Sequence, residues 1–149
     1  MNNRFFDIAF KEAQKAFELN EVPVGAVIVK DGKILAKAHN MKEKKNCSIY
    51  HAEIQVIQKA TRKLNNWRLD GCELYVTLDP CPMCASAIKQ SRIKCVYSAL
   101  NNLDENNIKI IQKIFHKDKI NPEVIFESNL DIVSSKEILN SFFKKQRNS

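Results

Sequence analysis

Apolar residues recur with helical spacing in several parts of the chain. In the first part, Phe6, Phe10, Ala13 and Phe17 follow one another at steps of three and four positions, with charged residues between them. This pattern predicts an amphipathic helix over residues 6–19. Similar reasoning predicts further helices from about residue 51 to 60 or 64, from 82 to about 91, over 108–115, and from about 135 to 147.

Short runs rich in β-branched and aromatic residues predict strands between these helices. Asp31 and Gly32 separate the first two runs, and an Asp-Gly pair in that position favours a hairpin. A helix between the last two runs predicts that those two strands lie parallel. The alternation of strands and helices indicates a layered α/β fold. The runs cover residues 24–29, 34–35, 73–78, 94–98 and 124–126.

Length and composition are those of one globular domain, which we expect to cover residues 1–149. Hydrophobic residues make up 44% of the chain and charged residues 28%, close to the average for globular proteins. No apolar run approaches the roughly 20 residues that a bilayer span requires, and the first residues lack the layout of a signal peptide. We therefore expect an intracellular, cytoplasmic protein with no membrane partner.

Net charge and cysteine content indicate which kind of partner and which cellular compartment to expect. A net charge of +7 points towards a polyanion such as nucleic acid, although the high Lys, Asn and Ile content would also arise from biased base composition. Five cysteines are an odd number, which suits a reducing compartment better than a disulfide scaffold. We expect Cys47, Cys72 and Cys95 to be unpaired thiols.

Two short motifs predict an open metal site. Cys81 and Cys84 have the two-residue gap that lets two thiolates bind one tetrahedral zinc ion, and His51 can supply a third ligand. No other His or Cys has a spacing that would provide a fourth, so one position stays open for water, as in catalytic sites. Glu53 lies two positions from His51 and is the candidate acid/base. Taken alone, the cysteine pair also fits a redox motif or half of a structural zinc site.

His-Ala-Glu at residues 51–53, followed by Pro-Cys-Pro-Met-Cys at residues 80–84, resembles the motif pair of the zinc-dependent cytidine-deaminase-like superfamily. Within it, the chain is most similar to the bacterial tRNA-specific adenosine deaminases. Residues 21–27, 75–78 and 141–147 resemble that family's first strand, metal-site strand and C-terminal helix. The resemblance implies a three-layer α/β/α fold, with a central mixed five-stranded sheet and helices on both faces.

The same resemblance implies a function. One Zn²⁺ per subunit is held by His51, Cys81 and Cys84, and Glu53 shuttles the proton while adenosine at the wobble position of a tRNA anticodon loop becomes inosine. A homodimer is implied, with a tRNA anticodon stem-loop as partner. The implied substrate-binding residues are Asn40 on the nucleoside, Val24 and Val27 in the pocket floor, backbone groups near Ala52 and Leu78 on the base edge, and Asn101, Phe142, Phe143, Lys144 and Arg147 on the RNA.

Some positions depart from the family pattern. Asn101 replaces an Asp in a loop that touches the nucleic acid, Tyr50 replaces a small residue, and Asp79 replaces a Glu. Two alternatives therefore stay open: a deaminase of free guanine, cytosine or their nucleosides, and an inactive zinc-bearing subunit that binds RNA. Individual residues also have simpler interpretations. Asn40 can cap a loop, one of Phe142 and Phe143 is expected in the core, and residues 42–45 are expected to form a solvated loop.

Overall fold

The computed structural model describes residues 1–148, apart from the side chain of Ile132. Within that range, helices alternate with strands along most of the chain, which confirms the predicted α/β fold. The helices are α1 (Asn3–Glu18), α2 (Ala52–Leu64), α3 (Pro82–Gln90), α4 (Glu105–Phe115) and α5 (Ile132–Arg147), and the strands are β1 (Gly25–Lys30), β2 (Lys33–His39), β3 (Cys72–Val76), β4 (Cys95–Ser98) and β5 (Ile125–Glu127).

The strands form one mixed sheet in the order β2-β1-β3-β4-β5. β1 pairs antiparallel with β2 and β3, whereas β3, β4 and β5 are parallel. The predicted hairpin is confirmed, and both Asp31 and Gly32 have positive φ angles, as tight hairpin turns with the favoured twist require. The predicted parallel pair is confirmed too, because α4 carries the chain back across the sheet between β4 and β5.

Helices cover both faces of the sheet, which confirms the three-layer architecture. Side chains alternate between the faces of a strand, so Ala26 and Ile28 of β1 pack with residues of α2 and α3, including Val56 and Ile88. Residues of the opposite face pack beneath α1 in a second cluster. That cluster consists of Phe5, Phe6, Ala9, Val27, Val29, Tyr75 and Ala99. The C-terminal helix α5 packs against α1.

Gly25 sets the distance between α1 and β1. A Cβ at this position would overlap the carbonyl oxygen of Ala9 and lie 2.6 Å from the amide nitrogen of Ala13. Only a glycine therefore lets the helix approach the strand this closely. The approach matters for function because β1 lies next to β3, the strand that leads towards Cys81.

Three helices begin three positions before their predicted starts, and one of them is α4, which begins at Glu105 instead of residue 108. The first helix begins at Asn3 because Oδ1 of Asn2 accepts a hydrogen bond from the Arg4 amide and caps it. The last helix begins at Ile132, three positions before the expected start at Ser135. Among the residues that the structure describes, none of the helices combines the length and apolar character needed to cross a membrane.

Candidate functional site

Two helix starts bring the predicted metal ligands together. His51 is the residue before α2 and Cys81 the residue before α3, and both have extended backbone conformations that turn the chain into the helix. Pro82 occupies the first turn of α3, where its fixed φ angle is already helical and its missing N–H costs no hydrogen bond. Cys84 follows in the same turn. The short segment after β3 thus places both thiols opposite His51.

The three side chains form a compact donor group. Nδ1 of His51 lies 3.5 Å from Sγ of Cys84 and 3.8 Å from Sγ of Cys81. All three candidate ligand atoms lie within 4.8 Å of one another, so the group can hold one metal ion. Cys84 is fully buried and the other two side chains are partly exposed. One side of the group therefore remains accessible from solvent.

Hydrogen bonds within the donor group shift the pKa of each of its three members. The pKa of Cys81 falls to about 4, first because its sulfur accepts a hydrogen bond from Cys84, and Cys84 correspondingly has a strongly raised pKa. The pKa of His51 is raised, chiefly by its hydrogen bond to Cys81. The lowered pKa favours the thiolate form of Cys81, which is the form that binds metals.

Glu53 lies in the first turn of α2, beside this group, and is only 4% exposed. Burial raises the pKa of its carboxyl group to about 7, because the charged form loses its water. A carboxyl group with a pKa near neutral can both accept and release a proton at neutral pH, as a general acid/base must. The structure thus gives Glu53 the environment that the sequence analysis expected of it.

A cavity of about 220 Å³ opens next to the donor group. Four of the residues predicted to bind substrate line it: Val24, Asn40, Ala52 and Leu78. Its remaining lining residues are Val22, Lys42, His51, Glu53, Asp79 and Cys81. The cavity therefore brings two of the three donors, the acidic residue and a polar amide into one space.

Asn40 both lines this cavity and caps the loop after β2. Its Nδ2 donates to the carbonyl oxygen of Val22 at 3.2 Å, and its Oδ1 accepts from the backbone N–H of Lys42 at 3.2 Å. The side chain is 7% exposed, and these bonds fix its orientation. The two interpretations of Asn40 are thus compatible, since the capping bonds hold the amide at the cavity wall.

Val27 is not part of the cavity, so its predicted place in the pocket floor is wrong. It points to the opposite face of the sheet, into the cluster beneath α1. Within β1, side chains alternate between the two faces, so Val27 lies on the side opposite to Ala26 and Ile28, whereas Val24 directly precedes the strand. Val24 therefore takes the cavity side alone.

A second cavity of about 280 Å³ adjoins the first and extends to the C-terminal helix. The two share Val22, Asn40 and Lys42. The rest of the second lining consists of Asn20, Glu21, Glu43, Phe142 and Gln146. The two cavities are therefore neighbours, and the second one reaches α5.

The C-terminal helix divides its two phenylalanines as expected. Phe142 is 6% exposed and packs against Phe17 of α1 with ring centroids 6.4 Å apart. Phe143 is 45% exposed and is free to stack on a partner. Lys144 and Arg147 are exposed and line neither cavity. Their contact with RNA, like that of Phe143, stays a prediction.

Asn101 lies outside both cavities. Its Oδ1 accepts from the Leu103 backbone N–H at 3.0 Å, and its own N–H donates to Oδ1 of Asn129 at 2.8 Å. These bonds stabilise the turn that leads into α4 and join it to the turn before α5. Its role in substrate binding also stays a prediction.

The structure adds residues that the sequence analysis did not select. Val22, Lys42 and Asp79 line the first cavity, and Glu21 is a fully buried acid whose carboxylate binds the loop after Asn40. Glu21 could have been noticed as a charged residue directly before the apolar residues 22–29. Residues 42–45 are exposed, as expected for a solvated loop, yet Lys42 also borders both cavities.

Comparisons with known proteins agree with this arrangement. The model of the MafB19-like deaminase family matches residues 1–147. A tRNA-specific adenosine deaminase of Aquifex aeolicus is 44% identical over 146 residues, which are 97% of this chain and 95% of that protein. A solved structure from studies of A-to-I editing by tRNA:A34 deaminases at the wobble position of transfer RNA superposes with a TM-score of 0.84. Its identity is 37%, over 93% of this chain and all of that one.

A guanine deaminase structure from Bacillus subtilis is also similar. It superposes with a TM-score of 0.66 at 31% identity, over all of this chain and 96% of that one. Relatives with different substrates thus share the fold and the motif-bearing region of this chain.

Proposed function

The chain belongs to the MafB19-like deaminase family, and from this premise we infer that its site hydrolyses the exocyclic amine of a nucleobase. The protein is a hydrolase that converts adenosine to inosine at the wobble position of a tRNA anticodon loop. One observation carries this conclusion: His51, Cys81 and the acid Glu53 line a single cavity, and Cys84 lies directly behind them in the same donor group. A purely structural metal site would need neither the cavity nor the acid.

Zinc fits the donor group. In a tetrahedral zinc site with bonds of about 2.3 Å to sulfur and about 2.0 Å to nitrogen, a sulfur and a nitrogen ligand lie about 3.6 Å apart. The distances from Nδ1 of His51 to the two sulfurs, 3.5 and 3.8 Å, agree with this value. Two thiolates and a neutral imidazole are also a usual zinc ligand set. We therefore assign one Zn²⁺ per chain to His51, Cys81 and Cys84.

A bound zinc ion would supply a Lewis acid that makes water nucleophilic near neutral pH. Glu53 handles the proton: its carboxylate accepts a proton from the attacking water and later returns it to the departing amine. The bond between the water oxygen and C6 of adenine forms, the bond between C6 and the exocyclic nitrogen breaks, and inosine and ammonia result. The raised pKa of Glu53 suits both halves of this transfer.

The cavity walls orient the base. Val24 and Leu78 provide apolar surface, and Ala52 brings backbone groups to the edge of the cavity. Asn40 offers an amide whose orientation is already fixed by its loop bonds, so binding costs it little conformational entropy. A base inside a duplex could not reach this depth. Anticodon loops present unpaired bases that can be splayed out, which suits such a cavity.

The assembly and the location follow from the family. We propose a homodimer of single-domain subunits covering residues 1–149, acting in the cytoplasm, where its tRNA substrate is found. Support for the single domain comes from one continuous sheet and from a family model that matches residues 1–147. Light scattering coupled to size-exclusion chromatography tests the dimer, since a mass near 17 kDa would identify a monomer.

Mass spectrometry of an anticodon stem-loop tests the reaction. The RNA carries adenosine at the wobble position and is incubated with zinc-loaded protein, in parallel with free adenosine, cytosine and guanine. Conversion to inosine in the RNA alone is the expected result. A matched stem-loop with its only adenosines in the stem controls for unspecific activity. Intact adenosine in every RNA, with full zinc occupancy, would contradict the proposed function.

A free-base deaminase is the second candidate, favoured by the similarity to a guanine deaminase over the whole chain. Such an enzyme needs a base-sized cavity but no neighbouring cavity that reaches a basic helix. The second cavity and the basic end of α5 are therefore unexplained by this alternative. Turnover of free guanine without any RNA, in the same experiment, would favour it.

A further inference from the structure

Glu21 is a buried acid that binds the backbone of a distant loop. Its side chain is fully buried, and its Oε1 and Oε2 accept hydrogen bonds of 2.8 and 2.7 Å from the backbone N–H groups of Glu43 and Lys44. No cation is paired with Glu21 among the ion pairs of the described residues. The two backbone bonds are therefore what stabilises its carboxylate in the interior.

These bonds join the start of a turn to the body of the protein, next to the bond from the Lys42 N–H to Oδ1 of Asn40. Residues 42–46 form consecutive turns closed by bonds such as that from the Lys45 N–H to the Met41 carbonyl. The first N–H groups of such a turn lack internal acceptors, as at the start of a helix. The carboxylate of Glu21 takes two of them. Its removal would leave the N–H groups of Glu43 and Lys44 without these acceptors and would loosen the turn, which the bonds of Met41 and Lys42 would hold alone.

The turn carries Lys42 to the border of the two cavities. Lys42 lines both of them, and its backbone N–H is bound by Oδ1 of Asn40. Lys44 and Lys45 belong to the same turn and are exposed, but they line neither cavity. Among the lysines of this turn, Lys42 alone therefore has a position defined with respect to the bound base.

We propose that Glu21 is a positioning residue for Lys42, whose ammonium group contacts the RNA phosphate next to the target nucleotide. The inference rests on the proposed function, since it needs an RNA strand to enter both cavities. An RNA strand that runs from the first cavity into the second carries one phosphate per nucleotide. One of these phosphates must pass the border between the two cavities, where Lys42 lies. Lysine acts on phosphate as a point charge, so its position decides its effect.

The salt dependence of RNA binding tests the contact. The zinc-loaded protein and a fluorescent anticodon stem-loop are titrated at several salt concentrations. Lys42→Gln should weaken binding and reduce the slope of log K against log salt by about one, the effect of one lost phosphate contact. Lys45→Gln is the matched control, because it removes the same charge from the same turn, and it should leave the slope unchanged. Equal slopes for K42Q and K45Q would overturn the inference.

A double-mutant cycle tests the role of Glu21. Glu21→Gln keeps one acceptor oxygen, but its side-chain NH₂ group then faces a backbone N–H that needs an acceptor. The variant should therefore raise the KM for the stem-loop about tenfold, while kcat and zinc content stay those of wild type. In the K42Q background the same change should have almost no further effect, because the contact that it positions is already gone. Additive effects would show that Glu21 acts on the fold in general and would refute the proposed role.

Two further measures keep this experiment decisive. If E21Q does not fold, Glu21→Asp takes its place, since it keeps the charge with a shorter reach and should give a smaller KM effect with the same non-additivity. The wild-type reaction separates the two proposals. A wild-type protein that edits no RNA refutes the proposed function, whereas editing by wild type with additive variants refutes this inference alone.

Discussion

Oγ of Ser128 donates a 2.6 Å hydrogen bond to Oδ1 of Asp79, across 49 positions of sequence. Asp79 lines the first cavity and lies two positions before Cys81, and Ser128 directly follows β5. Burial raises the pKa of Asp79, while the bond from Ser128 opposes that rise. The hydroxyl group thus stabilises a buried carboxylate. It also joins the segment between β3 and α3, which contains Cys81, to the segment that leads into α5.

Ser128→Ala should destabilise the protein by about 1–3 kcal/mol, because it removes a short hydrogen bond to a buried acid. Urea unfolding of the zinc-loaded protein measures the loss. Ser86→Ala serves as a control, since Ser86 is exposed on α3, and should change stability by less than about 0.5 kcal/mol. Equal stabilities of S128A and wild type would contradict the role of this bond.

Glu53→Gln should reduce turnover by at least about 10²-fold, because the amide cannot carry the proton between water and amine. Zinc content should stay that of wild type, since Glu53 is not one of the three donors. Inosine formation and metal analysis of the same sample measure both. Loss of zinc in this variant would instead identify Glu53 as a ligand.

Cys84→Ala should lose the metal and with it both activity and stability, because metal binding free energy contributes to folding. A chelator should lower the melting temperature of wild type but leave that of C84A unchanged. Cys47→Ala is the control: Cys47 is a free thiol outside the donor group. A melting temperature of wild type that does not respond to the chelator would argue against a resident metal.

Substitution of Phe142 should mainly reduce stability, whereas substitution of Phe143 should mainly weaken RNA binding. Phe142→Ala should cost about 3–5 kcal/mol of stability, as it leaves a cavity against Phe17. Phe143→Ala should cost little stability, because the side chain is 45% exposed, but should weaken stem-loop binding by about 1–3 kcal/mol if one base stacks on it. Thermal unfolding and fluorescence anisotropy measure the pair. Unchanged RNA affinity of F143A would remove Phe143 from the interface.

The donor group could be predicted from sequence because its determinants are local. Cys81, Pro82 and Cys84 lie within four positions, and a proline at a helix start has a known conformation. His51 was found as a member of a motif pair, but its distance from the thiols depends on the sheet that brings the two helix starts together.

Val27 shows why the cavity wall was harder to predict. Residues 25–29 are all buried, so no alternation of polar and apolar positions reveals which side chains face the site. The hydrogen bonds between Glu21 and residues 43 and 44 could not be predicted from the sequence for another reason. They join segments more than 20 positions apart, and no local pattern records such a pairing.

The three metal donors and Glu53 all lie within the first 84 residues, whereas α5 packs against α1 and contributes to the second cavity only. The part of the second cavity that Phe142 and Gln146 form is thus encoded apart from the donor group. Exchanges confined to the last helix would leave all three donors and Glu53 in place. An evolutionary or directed search for new substrates therefore has a short, separable stretch to vary.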